Sequence, residues 1–151
     1  MSPVLSSSYG DTNSSQVAAA VASGVFFAIA AGNSASDATN YSPASEPSAC
    51  TVGASDISDV MAFFSNFGSL VDVYAPGVDV TSAWNDGGIN TISGTSMATP
   101  HVAGLGAYLL TLEGISTSDL CARIVELAQK DVITEIPAGT ANLLAYNGVD
   151  A

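Results

Sequence analysis

The sequence predicts an α/β fold, arranged as a three-layer sandwich with a mostly parallel sheet. Short apolar runs of strand length alternate with stretches of helix length, Gly and Pro separate them, and one run, VFFAIA at residues 25–30, is apolar throughout. A continuous apolar run is typical of a parallel strand covered on both faces. Strands that alternate with helices predict helices on both sides of one sheet. With 151 residues, the chain has room for a single domain.

The predicted elements follow one another in a regular order. Helix 14–23 is Ala-rich and ends before Gly24, and strand 25–30 follows it. Residues 32–47 are rich in Asn, Ser, Asp and Pro, and they predict a long loop of the kind that often carries function. The remaining elements are strands at 50–54, 70–74 and 78–83, a turn at 86–90, and helices at 96–112 and 116–129.

Helix 96–112 is apolar around most of its circumference and carries few charges before Glu113. A helix that is apolar all round is expected to be buried. Its small residues, among them Ala103, Gly104 and Gly106, would let other elements approach its axis closely. The sequence therefore predicts a buried central helix.

Charge excludes two classes of partner. Arg123 and Lys130 are the only Lys and Arg residues, against 14 acids, and the net charge is -12. Phosphate backbones and anionic membrane surfaces both require clustered cations, so we expect neither nucleic acid nor membrane binding. The apolar stretch 17–32 is too short for a comfortable membrane span, and the first residues do not resemble a signal peptide. A composition rich in Ser, Ala, Gly and Thr and poor in Lys favours an extracellular protein.

The two cysteines leave two alternatives open. Cys50 and Cys121 belong to no CxxC motif or Cys/His cluster, which argues against a structural zinc site. Their spacing is compatible with a disulfide in a secreted protein and equally with two buried thiols.

The segment GTSMATPHVAG, residues 94–104, places Ser96 in a small-residue turn at the start of a helix. Free backbone N–H groups and the positive end of the helix dipole would favour a developing oxyanion there. A serine nucleophile needs a base, and the only histidine is His101. Five helical positions put it about 140° around the axis and about 7.5 Å along it. We therefore expect His101 to hydrogen-bond locally, not to activate Ser96.

GTSMATPHVAG resembles the serine signature of the subtilisin-like serine proteases, the subtilases. AAGN at residues 30–33 resembles their oxyanion-hole motif, and the similarity continues through residues 40–55, 65–77, 93–101 and 141–146. It is closest to the proteinase K-like branch and covers nearly the whole chain from about Tyr9 onwards. The resemblance implies a subtilisin-like sandwich and a serine endopeptidase that needs no cofactor for its chemistry.

The resemblance also implies roles for individual residues. Ser96 matches the nucleophile, and Asn33 matches the residue whose side-chain amide holds the oxyanion together with the Ser96 N–H. The implied substrate-binding residues are Ala30, Ala31, Gly32, Tyr41, Met97 and Leu5. Residues 2–8 depart from the glycine-rich pattern of the family's cleft-lining strand. Serines replace the glycines there, and Pro3 removes a backbone donor.

Two stabilising features follow from the same resemblance. Cys50 and Cys121 fall where the proteinase K-like branch carries a disulfide. Pro47 and Ala49, through their backbone carbonyls, and Asp72, through its carboxylate, match a structural calcium site. Ligation by oxygen alone is the kind that Ca²⁺ prefers.

In subtilases the catalytic residues come in the order Asp, His, Ser, and the Asp and His motifs are absent from this sequence. Residues 1–151 thus resemble the C-terminal portion of a catalytic domain, a single truncated domain. We expect it to be inactive alone, to need the missing N-terminal half as a partner, to act with it on protein or peptide substrates, and to be secreted. The alternative is a non-catalytic pseudoprotease, binding remnant or autolysis fragment. An esterase of the α/β-hydrolase type would require a G-x-S-x-G motif, which is absent.

Overall fold

The computed structural model describes residues 8–9 and 14–149. Helices and strands alternate along most of this range, which confirms the α/β class. The elements are β1 (Ser8–Tyr9), α1 (Ser14–Ala22), β2 (Ala28–Ala30), a 3₁₀ helix (Ala38–Asn40), β3 (Tyr41–Ser42), β4 (Cys50–Ser55), β5 (Val73–Pro76), β6 (Val80–Ala83), β7 (Ile89–Ile92), α2 (Thr95–Glu113), α3 (Leu120–Leu127), β8 (Gln129–Lys130) and β9 (Leu143–Leu144).

The main sheet has five strands in the order β2-β4-β5-β9-β8. Strands β2, β4, β5 and β9 run parallel, and β8 joins β9 antiparallel. The prediction of a mostly parallel sheet is therefore confirmed. The carboxyl ends of β2, β4 and β5 meet at one edge of this sheet, which is where parallel α/β sheets usually bind ligands.

Helices cover the sheet on both faces, as the three-layer prediction requires. On one face, Val52 of β4 packs in a cluster with Val102 of α2 and Ile124 of α3. On the opposite face, Ile29 of β2 packs against Val17 of α1. Because side chains alternate along a strand, each strand supplies both cores at once.

The disulfide between Cys50 and Cys121 is present and joins the start of β4 to α3. It confirms the pairing that the resemblance implied. The bond closes a span of 71 residues. In the chain-entropy account, closing a loop of this length stabilises the fold by about 4 kcal/mol. The bond ties α3 to the sheet at the first residue of β4.

Several predicted boundaries differ from the observed ones. The strand predicted at 70–74 is β5, which begins at Val73, and the turn predicted at 86–90 overlaps β7. Strands β6 and β7 form an antiparallel hairpin outside the main sheet. Helix α3 begins at Leu120, not at residue 116, because the Ser116 hydroxyl donates to Asp119 at 2.8 Å and holds a turn there.

The prediction that the long central helix is buried all round is wrong for this chain. Ala98, Val102 and Leu109 of α2 are buried, but Tyr108 and Leu112 are 43% and 64% exposed. Only one side of α2 contacts the sheet, so its other apolar side faces solvent. Within the described range, no helix is long and apolar enough to cross a membrane.

Candidate active site

Two segments meet at the carboxyl edge of the main sheet and form the candidate site. The first is residues 31–36, called here the oxyanion loop, which leaves the end of β2 and carries Asn33. The second is the first turn of α2, which begins at Thr95 immediately after Gly94. The two segments are more than 60 residues apart in sequence and are joined by direct hydrogen bonds.

Thr95 fixes the orientation of the Asn33 side chain. The Asn33 carbonyl oxygen Oδ1 accepts from the Thr95 backbone N–H at 2.8 Å and from the Thr95 hydroxyl at 2.9 Å. The same hydroxyl accepts from the Gly32 N–H at 3.2 Å, and Thr95 is fully buried. Both Thr95 donors require the oxygen of the Asn33 amide as their acceptor. This fixes the orientation of the amide, and the nitrogen Nδ2 points away from Thr95 and can donate to another group.

The Asn33 amide and the Ser96 backbone N–H converge on one small space. A methyl group placed on Gly94 would lie 3.5 Å from Asn33 Nδ2 and 3.8 Å from the Ser96 nitrogen. Within the described residues, neither nitrogen donates a hydrogen bond to a protein acceptor. Two unused donors beside the same point, at the positive end of a 19-residue helix, suit a developing negative charge.

Ser96 is half-buried, and its hydroxyl makes no hydrogen bond in the described part of the chain. Pro100 lies four residues further along α2 and has no N–H, so it cannot donate to the Ser96 carbonyl in the usual helical way. His101 is exposed, and its Nδ1 pairs with the Met97 carbonyl oxygen at 2.9 Å. This local bond confirms the expectation for His101.

Most of the residues predicted to bind substrate lie in or beside the oxyanion loop. Ala30, Ala31 and Gly32 are buried where β2 runs into the oxyanion loop. Tyr41 packs against the buried cluster beside that loop, and its hydroxyl accepts from the Ser36 hydroxyl at 3.0 Å. Hydrogen bonds from the side chains of Ser34 and Ser36 lower the pKa of Tyr41. Leu5 lies outside the described residues.

Met97 borders a second space that the sequence did not predict. Its sulfur would lie 3.7 Å from a methyl group on Gly94. On its other side lies a cavity of about 390 Å³ between α2 and the β6–β7 hairpin. Trp84 and Ile92 of the hairpin segment and Pro100 of α2 line this cavity, so its walls are mainly apolar.

Asp72, the predicted carboxylate ligand of calcium, pairs with Thr51 of β4. Its carboxylate accepts from the Thr51 N–H at 2.7 Å, and its own N–H donates to the Thr51 carbonyl at 2.9 Å. Burial raises the pKa of Asp72 to about 6, although the Thr51 hydrogen bond opposes this change. The nearby sulfurs of Cys50 and Cys121 are bonded to each other and cannot act as thiolate ligands.

Pro47 and Ala49, the other predicted calcium ligands, lie just before β4. Pro47 is exposed and Ala49 is buried, and both can offer backbone carbonyl oxygens. Asp72 is anchored to Thr51, two residues after Ala49, so the predicted carboxylate and carbonyls come from one neighbourhood. An oxygen-only donor set with one carboxylate fits a hard cation such as Ca²⁺.

Sequence reasoning missed two residues that shape the site. Thr95 orients Asn33, and the fully buried Asn66 makes hydrogen bonds to the oxyanion loop. The only sequence signals were the position of Thr95 next to Ser96 and the polar pair Ser65–Asn66 directly after two phenylalanines. Neither signal identifies a partner that lies far away in the chain.

Comparisons with known proteins agree with this geometry. Residues 3–148 match the Subtilase family. The alkaline serine protease ver112 of Corniculantispora psalliotae is 61% identical over 126 residues, covering 83% of this chain and 33% of that protein. Proteinase T of Parengyodontium album is 56% identical over 149 residues, covering 96% of this chain and 50% of that protein.

A solved structure gives the same answer. The crystal structure of a cold adapted subtilisin-like serine proteinase superposes with a TM-score of 0.89 at 46% identity, covering 95% of this chain and 53% of that one. The chain thus spans about a third to a half of the length of the relatives it matches. The family match, the identities and the fold lead to one conclusion: the chain belongs to the subtilase family, in its proteinase K-like branch.

Proposed function

We propose that this chain supplies the nucleophile and the oxyanion hole of a secreted serine endopeptidase. The observation that carries the proposal is the convergence of the Asn33 amide and the Ser96 N–H on the space beside Gly94. Family membership supports peptide-bond hydrolysis as the reaction. The disulfide and the low content of Lys support an oxidising, extracellular environment.

In the proposed reaction, the Ser96 Oγ forms a bond to the scissile carbonyl carbon while its proton passes to a histidine base. The carbonyl electron pair moves to the oxygen, and Asn33 Nδ2 and the Ser96 N–H donate to that oxyanion. When the intermediate collapses, the C–N bond breaks and the leaving amine takes the proton from the histidine. Water then cleaves the acyl-enzyme by the same steps, which frees Ser96.

The histidine and its aspartate come from outside this sequence. His101 is committed to the Met97 carbonyl, and no other histidine is present in the chain. Residues 1–151 therefore act as the C-terminal portion of the catalytic domain, and a polypeptide that carries the Asp and His motifs, called here the Asp/His portion, completes it. Proteins and peptides are the substrates, and the chain alone is inactive.

A structural Ca²⁺ would stabilise the segment before β4. Asp72 and the carbonyls of Pro47 and Ala49 would hold it, and the ion would favour the ionised form of a carboxylate that burial otherwise destabilises. This ion takes no part in the chemistry at Ser96.

Covalent labelling tests the proposed function. The chain is incubated with a fluorophosphonate probe, alone and together with the separately expressed Asp/His portion of proteinase T, and the labelled residue is located by peptide mass spectrometry. We expect labelling at Ser96 only in the mixture. Ser96→Ala should abolish it, whereas Ser58→Ala, at an exposed turn, should leave it unchanged.

The alternative function is a non-catalytic binding remnant. It would be supported if the mixture bound peptides with measurable affinity while Ser96 remained unlabelled under all conditions. Labelling of Ser96 in the chain alone would contradict the requirement for a histidine from outside.

A further inference from the structure

Asn66 directs all of its side-chain hydrogen bonds to the oxyanion loop. Its carbonyl oxygen Oδ1 accepts from the N–H groups of Ser34 at 2.9 Å and Ser36 at 3.2 Å. Its amide nitrogen donates to the Ala31 carbonyl at 2.8 Å, and its backbone N–H donates to the Gly32 carbonyl at 2.9 Å. These four bonds lie on both sides of Asn33, so they define the backbone from which the Asn33 side chain projects.

We propose that Asn66 is a positioning residue for oxyanion stabilisation, a role that rests on the proposed function. Thr95 fixes the orientation of the Asn33 side-chain amide, and Asn66 fixes the position of the Asn33 backbone. The two sets of contacts differ, since Thr95 bonds to the Asn33 side chain and to the Gly32 N–H, whereas Asn66 bonds only to the backbone on both sides of Asn33.

The oxyanion loop needs such a support because its backbone is irregular. Ala35 has a φ of 48°, in the left-handed region that residues with a Cβ seldom adopt. Its N–H donates to the Phe64 carbonyl at 2.9 Å, and the N–H groups on either side of it, of Ser34 and Ser36, both donate to Asn66. Strained conformations persist where surrounding contacts over-determine them, and these three bonds do so here.

Hydrogen bonds through Ser65 connect Asn66 to the main sheet. The neighbouring Ser65 hydroxyl accepts from the Ala54 N–H of β4 at 3.0 Å and donates to the backbone carbonyl oxygen of Asn66 at 3.0 Å. Both Ser65 and Asn66 are fully buried. A continuous set of hydrogen bonds thus leads from β4 through Ser65 and Asn66 to the loop, and it places a catalytic donor on a rigid element.

The expected kinetic consequence is specific. The oxyanion exists only in the transition state and the intermediates, so a displaced Asn33 should lower kcat more than it raises KM. A shift of about 1 Å in a catalytic group can cost on the order of 100-fold in rate. We expect Asn66→Ser to lower kcat by about 10- to 100-fold, because a serine hydroxyl is too short to span these contacts.

A double-mutant cycle distinguishes positioning from general support. Asn66→Ser is made in the full chain assembled with the Asp/His portion, in the parent and in the Asn33→Ala background. If Asn66 acts through Asn33, its effect on kcat should shrink to less than about threefold once Asn33 is gone. An equal loss in both backgrounds would overturn the proposal.

Asn142 offers a matched control. Its amide also clamps a loop, accepting from the Ile133 N–H at 3.0 Å and donating to the Ile133 carbonyl at 2.7 Å. It lies beside β9, three positions from β2 in the sheet. Asn142→Ser should lower stability without lowering kcat. If Ser96→Ala and Asn33→Ala leave activity intact, the proposed function fails, and the cycle separates that result from failure of the Asn66 role.

Amide hydrogen exchange supplies a readout that does not need activity. In the full chain with its Asp/His portion, Asn66→Ser should speed exchange at Ser34 and Ser36, whose N–H groups lose their acceptor. Asn142→Ser should leave both amides as slow as in the parent. Unchanged protection of Ser34 and Ser36 in Asn66→Ser would contradict the proposal, whatever the kinetics.

Discussion

The two ends of α2 differ sharply in how well this chain surrounds them. In the first two turns, Thr95 and Thr99 are fully buried. The Thr95 hydroxyl donates to Asn33 at 2.9 Å, and the Thr99 hydroxyl donates to the Thr95 carbonyl at 2.7 Å. In the last turns, Leu110 and Leu112 are 38% and 64% exposed. The start of α2 is thus buried and hydrogen-bonded, whereas the apolar side around Leu110 and Leu112, called here the flank, is exposed.

The flank is part of a larger apolar cleft of about 620 Å³. Val25 and Phe26 before β2 line it together with Ala103 and Leu110 of α2, and none of its lining residues is charged. Exposed apolar surfaces of this kind usually mark a contact with another polypeptide. Under the proposed function, the Asp/His portion would cover this cleft; the relatives are two to three times as long as the matched segment.

The proposed roles fall in separate parts of one helix. The donors proposed for an oxyanion lie side by side within this chain, whereas the apolar flank is left exposed by it. Changes in the first turn should therefore alter the rate of catalysis without altering assembly, and changes on the flank should do the reverse.

The largest effect is expected from Asn33→Ala. The variant removes one of the two oxyanion donors, and the loss of the corresponding donor in subtilisin lowers kcat roughly 100- to 1000-fold. Peptide hydrolysis by the chain mixed with its Asp/His portion measures this, and titration calorimetry of the same mixture should show unchanged affinity. An unchanged kcat would contradict the proposed role of Asn33 as an oxyanion donor.

Leu110→Asp should produce the second largest effect, this time on assembly. A carboxylate buried at the flank without a partner should weaken binding of the Asp/His portion by at least about tenfold. Ile57→Asp is the control, since Ile57 is 101% exposed in a turn after β4 and lies outside the flank. Equal affinities for the two variants would show that the flank is not the contact surface.

Gly94→Ala should have a smaller effect, confined to catalysis. The added methyl would meet its neighbours at ordinary contact distances of 3.5 to 3.8 Å, so the fold should persist. It would stand between the two donors and hinder the oxyanion, which we expect to lower kcat by about tenfold. Thermal unfolding should be nearly unchanged, and an unchanged kcat would mean that the oxyanion binds elsewhere.

The last expected effect is on stability and leaves kcat unchanged; it concerns Asp72, which belongs to neither end of α2. Its pKa of about 6, against an ordinary 3.8, means that the folded state binds the proton more tightly. Without Ca²⁺, this contribution to stability is present below pH 4 and is lost as the pH rises through 6, by at most about 3 kcal/mol. Above pH 6, Ca²⁺ should restore stability in the parent but not in Asp72→Asn. A calcium-dependent rise in Tm that survives this substitution would exclude Asp72 as a ligand.

The sequence predicted the elements whose signal is local. Helix α1, strand β4 and the serine turn were found because periodicity and motif lie within a few residues. Strand β7 was missed because it is mostly exposed and follows the turn-forming pair Gly87–Gly88, so no apolar alternation marks it.

Contacts over long sequence distances were beyond the same reasoning. Thr95 meets Asn33 across 62 residues, and Asn66 meets Ser34 across 32. No local pattern encodes such pairs. The burial of α2 was overestimated for a related reason: an apolar sequence does not show how many sides of a helix are covered, and here Tyr108 and Leu112 remain exposed.

The proposed dependence of Ser96 on an outside histidine is tested most directly by kcat/KM for a peptide amide, measured for the chain alone and with its Asp/His portion, each with and without Ser96→Ala. We expect background rates for the chain alone and, in the mixture, hydrolysis that disappears in Ser96→Ala. Hydrolysis by the chain alone that depends on Ser96, or hydrolysis by the mixture that survives Ser96→Ala, would contradict it.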